Sequence, residues 1–523
     1  MWARGLAAGA LTTCALLGVT YALAQAQLVS FFPLDVAQAA VRLAPGVIAT
    51  QGIEALGPGA KLLAEAAALV LVVLVGSLTS GLVVRFGLQR SWSNVLPISA
   101  VAIALIALAQ TLAGTVPDAI SLVATALLVI GWAAGLLWLC RLLVRSADGT
   151  RSPASSDRRK VLRLITSVLI GLAAGGGVIG ELIRRDQQSA LAEAIARGDP
   201  VPGVALSVDA ASSVVFPAVD PSFKPGYGAR PESTPTQALY VVASEIRSPN
   251  VDAATWHLTI SGLVHAPLSL SYADIHSLDR VDQPSTLTCI SNEVGGGLTG
   301  TGVWSGVPLG KLLGLAGVDA AATTVVLRSV TGYADAIPLD RALDRRTLVV
   351  YGFNGQALAR EHGFPLRLIV PGLYGMKNVK WLSGIELVDK SFVGYWEQRG
   401  WDPSADVRTQ STIDTGNKLV GNSDHVTSEQ GRVVLGGYAF AGIRGISRVE
   451  LNIDNGGWQP VQLKEAFSEI TWRPWRYEWQ TTPGDHLVLV RATDGQETLQ
   501  SAEVLPPHPS GASGLQALKL RID

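Results

Sequence analysis

Hydrophobic and polar positions divide the chain into three textures. Over the first 183 residues five apolar runs without charge stand out: Gly5–Ala24, Ala66–Val84, Ser91–Pro117, Ala119–Cys140 and Leu164–Gly180. A helix crossing hydrocarbon needs about 20 residues, within roughly 17–25. Each run therefore predicts a membrane span, the last at the short limit and extending toward Ile183. A cleaved signal peptide accounts for the first run alone. Residues 184–237 read as a linker punctuated by Pro200, Pro202, Pro217, Pro221, Pro225, Pro231 and Pro235. From Leu239 the pattern turns α/β-like. Strands are expected over Thr255–Leu263, Ser285–Ile290, Thr323–Ser329, Thr347–Gly352, Phe364–Pro371 and Lys380–Val388. Leu268–Ile275 reads as a strand running into a short helix, and Leu309–Ala316 as a helix. From about Leu419 only short strands follow: Arg432–Phe440, Ile446–Asp454, Trp458–Lys464, Trp472–Trp479 and Gly484–Thr493. Asp454-Asn455-Gly456-Gly457 and Asp494-Gly495 supply turns. That spacing predicts a β-sandwich of immunoglobulin-like size, with Trp458, Trp472, Trp475 and Trp479 as core and edge packing. The boundaries are then 1–183 for the bundle, 184–237 for the linker, 238–415 for the mixed domain and 416–523 for the sandwich.

Composition sharpens this division. Of 523 residues 48% are hydrophobic and only 16% charged, against about 25% charged in ordinary soluble domains. Mean hydropathy is +0.32. Disorder, collagen and a purely soluble enzyme are excluded. The formal net charge of −1 gives no basic field for nucleic acid. Residues 1–183 carry twelve Lys/Arg against seven Asp/Glu, the remainder 29 against 35. The basic residues of the bundle gather at Arg4, at Arg85 and Arg90, and between Arg141 and Arg163. By the positive-inside rule the N-terminus lies in the cytoplasm, and the large C-terminal part lies across the plasma membrane.

All seven histidines fall at His257 or later, and the only methionine beyond the first is Met376, so the bundle itself has no axial ligands for haem. Its expected role is an anchor or docking platform in the lipid bilayer. Before the last run, Asp157-Arg158-Arg159-Lys160-Val161-Leu162-Arg163 resembles a twin-arginine export signal, the route that carries already folded proteins. An ordinary positive-inside flank explains the same charges.

The chemistry concentrates in two segments. Thr288-Cys289-Ile290-Ser291-Asn292-Glu293-Val294-Gly295-Gly296-Gly297 reads as a strand ending in a glycine-rich loop, with Cys289 the sole cysteine after residue 183. A lone cysteine is commonly a small buried hydrophobe. As a ligand, its thiolate is soft and suits a transition metal, and no neighbouring Cys or His completes a zinc site. The second segment runs from His362-Gly363-Phe364-Pro365-Leu366-Arg367 to Pro371-Gly372-Leu373-Tyr374-Gly375-Met376-Lys377-Asn378-Val379-Lys380-Trp381. It gathers basic side chains around glycine turns and reads as a phosphate cradle or as a basic surface loop.

Together these segments resemble the sulfite oxidase family of molybdopterin-dependent oxidoreductases, over about residues 238–500. Cys289 and Asn292 match the family's Cys-x-x-Asn loop, and His362, Arg367 and Lys380 match its His-Gly-Phe-Pro-x-Arg and Val-Lys-Trp elements. Trp304 and Gly306–Leu309 fit its Trp-x-Gly-x-x-Leu stretch. Gly436–Phe440 with Val449–Asn455 resembles its C-terminal Ig-like dimerisation domain. Beyond the five-helix transmembrane bundle read from the apolar runs, which it does not cover, the resemblance implies a multi-domain chain with an α+β sulfite-oxidase-type domain and an Ig-like β-sandwich. It implies a molybdenum–molybdopterin cofactor with Cys289 as metal ligand. Asn292, His362, Arg367, Gly375, Lys377 and Lys380 would bind the pterin, and Asn292, Tyr374 and Trp401 would stand at the reaction pocket. A cofactor inserted in the cytoplasm also suits the twin-arginine reading. No haem-attachment motif or iron–sulfur cysteine set is present in the chain, so electrons would come through a separate partner, a quinone pathway or a cytochrome. A homodimer is implied for the Ig-like domain.

The departures bear on substrate. The arginine that sulfite oxidases place two residues after the loop asparagine is Val294 here. A second sulfite-binding arginine falls in the stretch Ala243-Ser244-Glu245, and the active-site tyrosine position is Trp401. Without two charged contacts, each worth about 1.5–3 kcal/mol, sulfite would bind poorly. The pattern is closer to the family's bacterial membrane-associated or exported members, which include protein-methionine-sulfoxide reductases. The expected function is oxygen-atom transfer to or from a small molecule or a sulfoxide. The alternative is a membrane-tethered binding or scaffold module on the same fold that has lost its metal.

Overall fold

A computed structural model describes residues 2–26, 28–44, 59–113, 119–145, 163–183 and 223–523. The Arg158-Arg159 motif and positions 184–222 of the expected linker lie outside the described residues. The chain divides into two compact units, Met1–Val201 and Pro202–Asp523.

The first unit is helical: α1 (Trp2–Gln25), α2 (Phe32–Leu43), α3 (Gly59–Arg85), α4 (Val95–Ala113), α5 (Ala119–Arg145) and α6 (Arg163–Ile183). Five stretches, all but α2, are long and apolar enough to cross a membrane by length and composition. They turn large apolar side chains outward, among them Leu71, Leu78, Leu105 and Ile179. Inside, close helix crossings stand beside a core that includes Val83, Leu136, Leu137 and Leu139. A Cβ on Gly9 would lie 2.4 Å from Gly76 O, and one on Gly176 would lie 2.2 Å from Gly18 O, so α1 meets α3 and α6 backbone to backbone. The short α2 has no counterpart among the expected spans. Asp35 and Arg42 interrupt its apolar face, yet Phe32, Asp35 and Ala39 are buried.

The second unit begins with two sheets. One has the order β2 (Leu268–Ser271), β1 (His257–Gly262), β10 (Leu382–Val388), β5 (Thr324–Ser329), β6 (Ala334–Pro338). Only β1 and β10 run parallel in it. The other has the order β3 (Val281–Thr288), β4 (Thr299–Pro308), β7 (Leu348–Phe353), β8 (Gln356–Ala357), with β9 (Arg367–Ile369) also paired to β7. Both sheets, with α7 (Tyr272–His276), α8 (Leu309–Ala316) and α9 (Leu339–Leu343), close one core that includes Leu258, Ile260, Trp304, Leu312, Val325, Val349 and Leu387. Strand β4, Thr-Gly-Thr-Gly-Val-Trp-Ser-Gly-Val-Pro, is not among the strands expected from the sequence. It is the buried middle of its sheet. Its glycines are required by crowding: a Cβ on Gly302 would sit 2.3 Å from the Phe353 ring, and one on Gly306 would sit 2.2 Å from Val349 O. The expected strand Phe364–Pro371 shortens to β9.

Two further sheets follow. Their orders are β11 (Gln410–Ile413), β13 (Arg432–Phe440), β17 (Arg473–Gln480), β16 (Gln462–Leu463) and β12 (His425–Val426), β19 (Gln516–Ile522), β18 (Gly484–Asp494), β14 (Ile446–Ile453), β15 (Trp458–Pro460). They face each other across Ile413, Leu435, Trp475, Leu451, Val490 and Leu520. Trp458–Lys464, expected as one strand, is two. β15 pairs with β14 and β16 with β17, so the chain changes sheet after Pro460. Trp472 is not part of this core. It stacks on Tyr438 at 4.4 Å in an aromatic cluster with Ile290, Tyr374, Met376, Trp401 and Phe440. That cluster joins the β11–β19 sheets to the Cys289 loop.

Candidate functional site

Strand β3 ends at Thr288 and delivers Cys289 to the head of a tight loop. Cys289 N donates to Leu298 O (2.9 Å), Asn292 N to Cys289 O (3.1 Å) and Gly296 N to Glu293 O (2.9 Å). Asn292 Oδ1 accepts from Leu298 N at 2.7 Å, closing the loop from inside. Three residues brace it from the later strands and the chain before β1. Asn417 Nδ2 donates to Gly295 O (2.8 Å), Gln516 packs where a Gly295 side chain would stand, and Arg230 Nη1 donates to Gly296 O (3.4 Å). Arg230 is itself held by Asp414 at 2.7 Å and stacked over Tyr438.

Cys289 is 7% exposed and its sulfur lies 2.9 Å from Ser291 Oγ. Burial pushes the thiol pKa up, while the Ser291 hydrogen bond and the charge of Lys380 pull it down. Asn292 is buried, and its Nδ2 has no hydrogen-bond partner in the structure.

The second segment folds beside this loop. Arg367 is 4% exposed. Its guanidinium donates to His362 O (3.0 Å) and Asn378 O (3.2 Å) and lies 5.2 Å over the Trp304 ring. Its Nε is buried without a partner, and among the described residues no carboxylate pairs with it. Burial pulls its pKa down to about 10, against a weaker opposing effect of Tyr240. His362 is buried as well. Burial, then the charges of Arg367 and Lys380, hold it down to about 4. Lys380 Nζ donates to Glu361 O at 2.8 Å and lies over Trp381.

One residue the sequence reading did not single out ties the two segments together. Tyr240 feels both Cys289 and Arg367, and burial, followed by Cys289, drives its phenol well above the ordinary value. A Cβ on Gly375 would come within 3.1 Å of the Tyr240 hydroxyl and 3.7 Å of Cys289 Cα. The Gly375 backbone therefore lies directly on the cysteine loop. Tyr240 sits in the apolar stretch Leu239–Val242, with no motif to mark it. Arg408 was missed too. Its backbone N donates to Tyr374 Oη at 3.2 Å and its Nε to Ser510 O at 3.0 Å, and Tyr374 in turn feels both Cys289 and Arg408.

Tyr374 and Trp401 both fall in the aromatic cluster with Ile290. Trp401 is edge-on to His508, ring centroids 5.0 Å apart, and its Nε1 has no partner in the structure. Lys377 departs from expectation. An ammonium has three donors, and those of Lys377 meet Asp335 Oδ1 (2.7 Å), Ala336 O (3.0 Å) and Glu397 Oε1. Its side chain has no proton left for a pterin phosphate, so the expected anchor at Lys377 is corrected to an internal ion pair. Among the described residues no group of three His, Cys, Asp or Glu forms a metal cage.

Known proteins resemble parts of this chain. Residues 245–396 match the family described as oxidoreductase molybdopterin binding domain. Human mitochondrial sulfite oxidase is 29% identical over 312 residues, 51% of this chain and 57% of that protein. The chain thus spans a little over half the length of the mitochondrial sulfite oxidase it matches. "Uncharacterized oxidoreductase YuiH" of Bacillus subtilis is 35% identical over 155 residues, 30% of this chain and 76% of that protein. YedZ1 of Azospira oryzae, named a "putative protein-methionine-sulfoxide reductase subunit", is 32% identical over 176 residues, 33% of this chain and 64% of that protein.

Proposed function

The chain belongs to the sulfite oxidase family of molybdopterin-dependent oxidoreductases, and on that premise we propose that it is a membrane-anchored molybdoenzyme that reduces a sulfoxide. The observation that carries this reading is the uncompensated basic pocket beside the cysteine. Arg367 is a buried cation with an orphaned Nε, next to a histidine held neutral, and Tyr240 links it to Cys289. A buried charge without a counter-charge is costly, and a phosphate would supply one. The orphaned Asn292 Nδ2 and the bare Gly375 backbone fit the same bound group. In this reading Cys289 is the protein ligand to molybdenum. His362, Arg367 and Lys380 anchor the pterin phosphate, Asn292 and Gly375 line its approach, and Tyr374 and Trp401 form the reaction pocket.

When bound, the molybdenum–molybdopterin group supplies two-electron oxygen-atom transfer. Overall, a sulfoxide takes up two protons and two electrons, its sulfur–oxygen bond breaks, and a thioether and one water leave. The electrons come from a separate protein or a membrane quinone pathway. Val294 and the stretch Ala243-Ser244-Glu245 stand where sulfite oxidases carry anion-binding arginines. A pocket without those charges favours a neutral sulfoxide over sulfite, in keeping with the name of the YedZ1 relative.

The five apolar helices cross the bilayer with the N-terminus cytoplasmic and the catalytic unit on the far side, as the basic loops direct. The domains are 1–183, a linker 184–237, a molybdopterin domain 238–415 and an Ig-like dimerisation domain 416–523. The two facing sheets β11–β19 support the last assignment.

The test is molybdenum per chain by elemental analysis, on protein from a host that makes molybdopterin. Near one metal per wild-type chain, and a lost or altered Mo(V) resonance in Cys289→Ala, is the expected result. A wild-type chain free of molybdenum and pterin from that host overturns the reading and leaves a membrane-tethered binding module.

A further inference from the structure

Behind the Gly375–Lys377 turn lies a second charged cluster that the proposed reaction does not use. Lys377 Nζ, on a side chain 3% exposed, is held between Asp335 and Glu397, themselves 0% and 6% exposed. The lysine so joins three separate segments: its own turn, strand β6 through Asp335, and the loop after β10 through Glu397. Each carboxylate is anchored a second time. Asp335 Oδ1 also takes the Ala336 N–H at 2.8 Å, and Glu397 Oε2 takes the Gly394 N–H at 2.8 Å. Gly394 lies against Asp335, 2.7 Å from where its Cβ would stand. The Tyr333 hydroxyl lies 3.0 Å from Asp335 Oδ2 and 2.8 Å from Met376 O, in the middle of the same turn. Side chain and backbone of the turn are thus fastened to β6 and to the residue just before it.

The front of this turn is the Gly375 backbone, pressed on Cys289 and Tyr240. We propose that Asp335, Lys377 and Glu397 are positioning residues for the Cys289 site, holding the turn so that its front face keeps a fixed distance from the cysteine. The proposal rests on the molybdoenzyme reading for its purpose, but its geometry does not.

Two carboxylates face one ammonium here, with Tyr333 on Asp335 and Glu245 within electrostatic reach of Tyr333. Burial pushes the Asp335 carboxyl up to about 6; Lys377 opposes this and Glu397 adds to it. The Tyr333 hydroxyl, a single donor, stands within hydrogen-bond distance of both Asp335 Oδ2 and Met376 O. A buried ionic set of this kind costs desolvation and fixes one arrangement, which is what a site needing a constant geometry requires.

The experiment uses the full chain in detergent, without cofactor, and follows alkylation of Cys289 by iodoacetamide with peptide-resolved mass spectrometry at one pH. Lys377→Met is expected to raise the Cys289 rate by about tenfold or more, as the turn opens locally. Asp335→Asn, which still accepts from Lys377, should change it by less than about threefold. Arg346→Met breaks an unrelated ion pair to Asp344 and Glu469 and should leave the rate unchanged. In cofactor-loaded protein Lys377→Met should shift the Mo(V) g-values at undiminished molybdenum content. A wild-type rate in Lys377→Met, or an equal rise in Arg346→Met, overturns the positioning role. If the wild type carries no molybdenum, the enzyme reading fails by itself, and the alkylation rates still decide whether the triad positions the cysteine.

Discussion

Replacing Arg367 by methionine deletes a charge that the fold buries with no carboxylate beside it among the described residues. Burial pulls its pKa well below the ordinary guanidinium range, to about 10. At about 1.4 kcal/mol per pH unit, the site carries roughly 3 kcal/mol of uncompensated charge. If a pterin phosphate supplies the missing counter-charge, that energy couples the guanidinium to the cofactor. Losing it should weaken cofactor retention by on the order of a hundredfold. The apoprotein responds differently. It loses the hydrogen bonds to His362 O and Asn378 O but is relieved of the buried charge, and its thermal midpoint should move little. The assay is molybdenum and pterin content after overnight dialysis, beside the melting temperature of cofactor-free protein. Arg367→Lys keeps the charge but not the fork of donors and should retain an intermediate amount. Full cofactor content in Arg367→Met would refute the reasoning. So would a collapse of apoprotein stability, since Arg367 would then be a structural residue and not one poised for an anion.

Two other outcomes are expected. His362 is held at about 4 in the folded protein and titrates near 6.5 when unfolded. Its folded pKa is depressed, so its contribution is fully present above pH 6.5 and is lost as pH falls toward about 4, by roughly 3 kcal/mol. The urea midpoint of the cofactor-free protein should drop between pH 7 and pH 4.5, and less so when a bound anion favours the protonated imidazole. An equal drop with and without cofactor contradicts this. Gly306→Ala puts a methyl 2.2 Å from Val349 O and 2.6 Å from Val350 Cα. Backbone cannot step aside as a side chain does, so the cost should reach at least about 1–3 kcal/mol, read as a lower melting temperature. An unchanged midpoint would mean that β4 does not run through the middle of its sheet.

Much of the fold is legible in the sequence. Runs of about twenty apolar residues mark helices by composition alone, and five long apolar helices are found where those runs stand. Alternation located β1, β5, β7, β10, β13, β14, β17 and β18 to within a residue or two, and helix Leu309–Ala316 at its ends. These signals are local, since each residue's preference is set by its neighbours on one face. Strand β4 was invisible because its glycines answer to Phe353 and Val349, some fifty residues away. The split of Trp458–Lys464 between two sheets was invisible for the same reason: period-two alternation does not say which partner a strand finds.

The candidate site divides along the same line. Residue type and spacing drew attention to Cys289, His362, Arg367 and Lys380, because metal and phosphate chemistry restrict the side chains that serve, and the family resemblance added Asn292. Tertiary structure alone decided what surrounds them. It brought Tyr240 within electrostatic reach of both the cysteine and the arginine, left Arg367 with no carboxylate partner among the described residues, and turned Lys377 away into a pair of carboxylates. A lysine three residues from another lysine looks like a second anchor on paper. Which way its ammonium faces depends on Asp335, 42 positions earlier, and Glu397, 20 positions later, and electrostatic partners at such separations are brought together only by the folded chain.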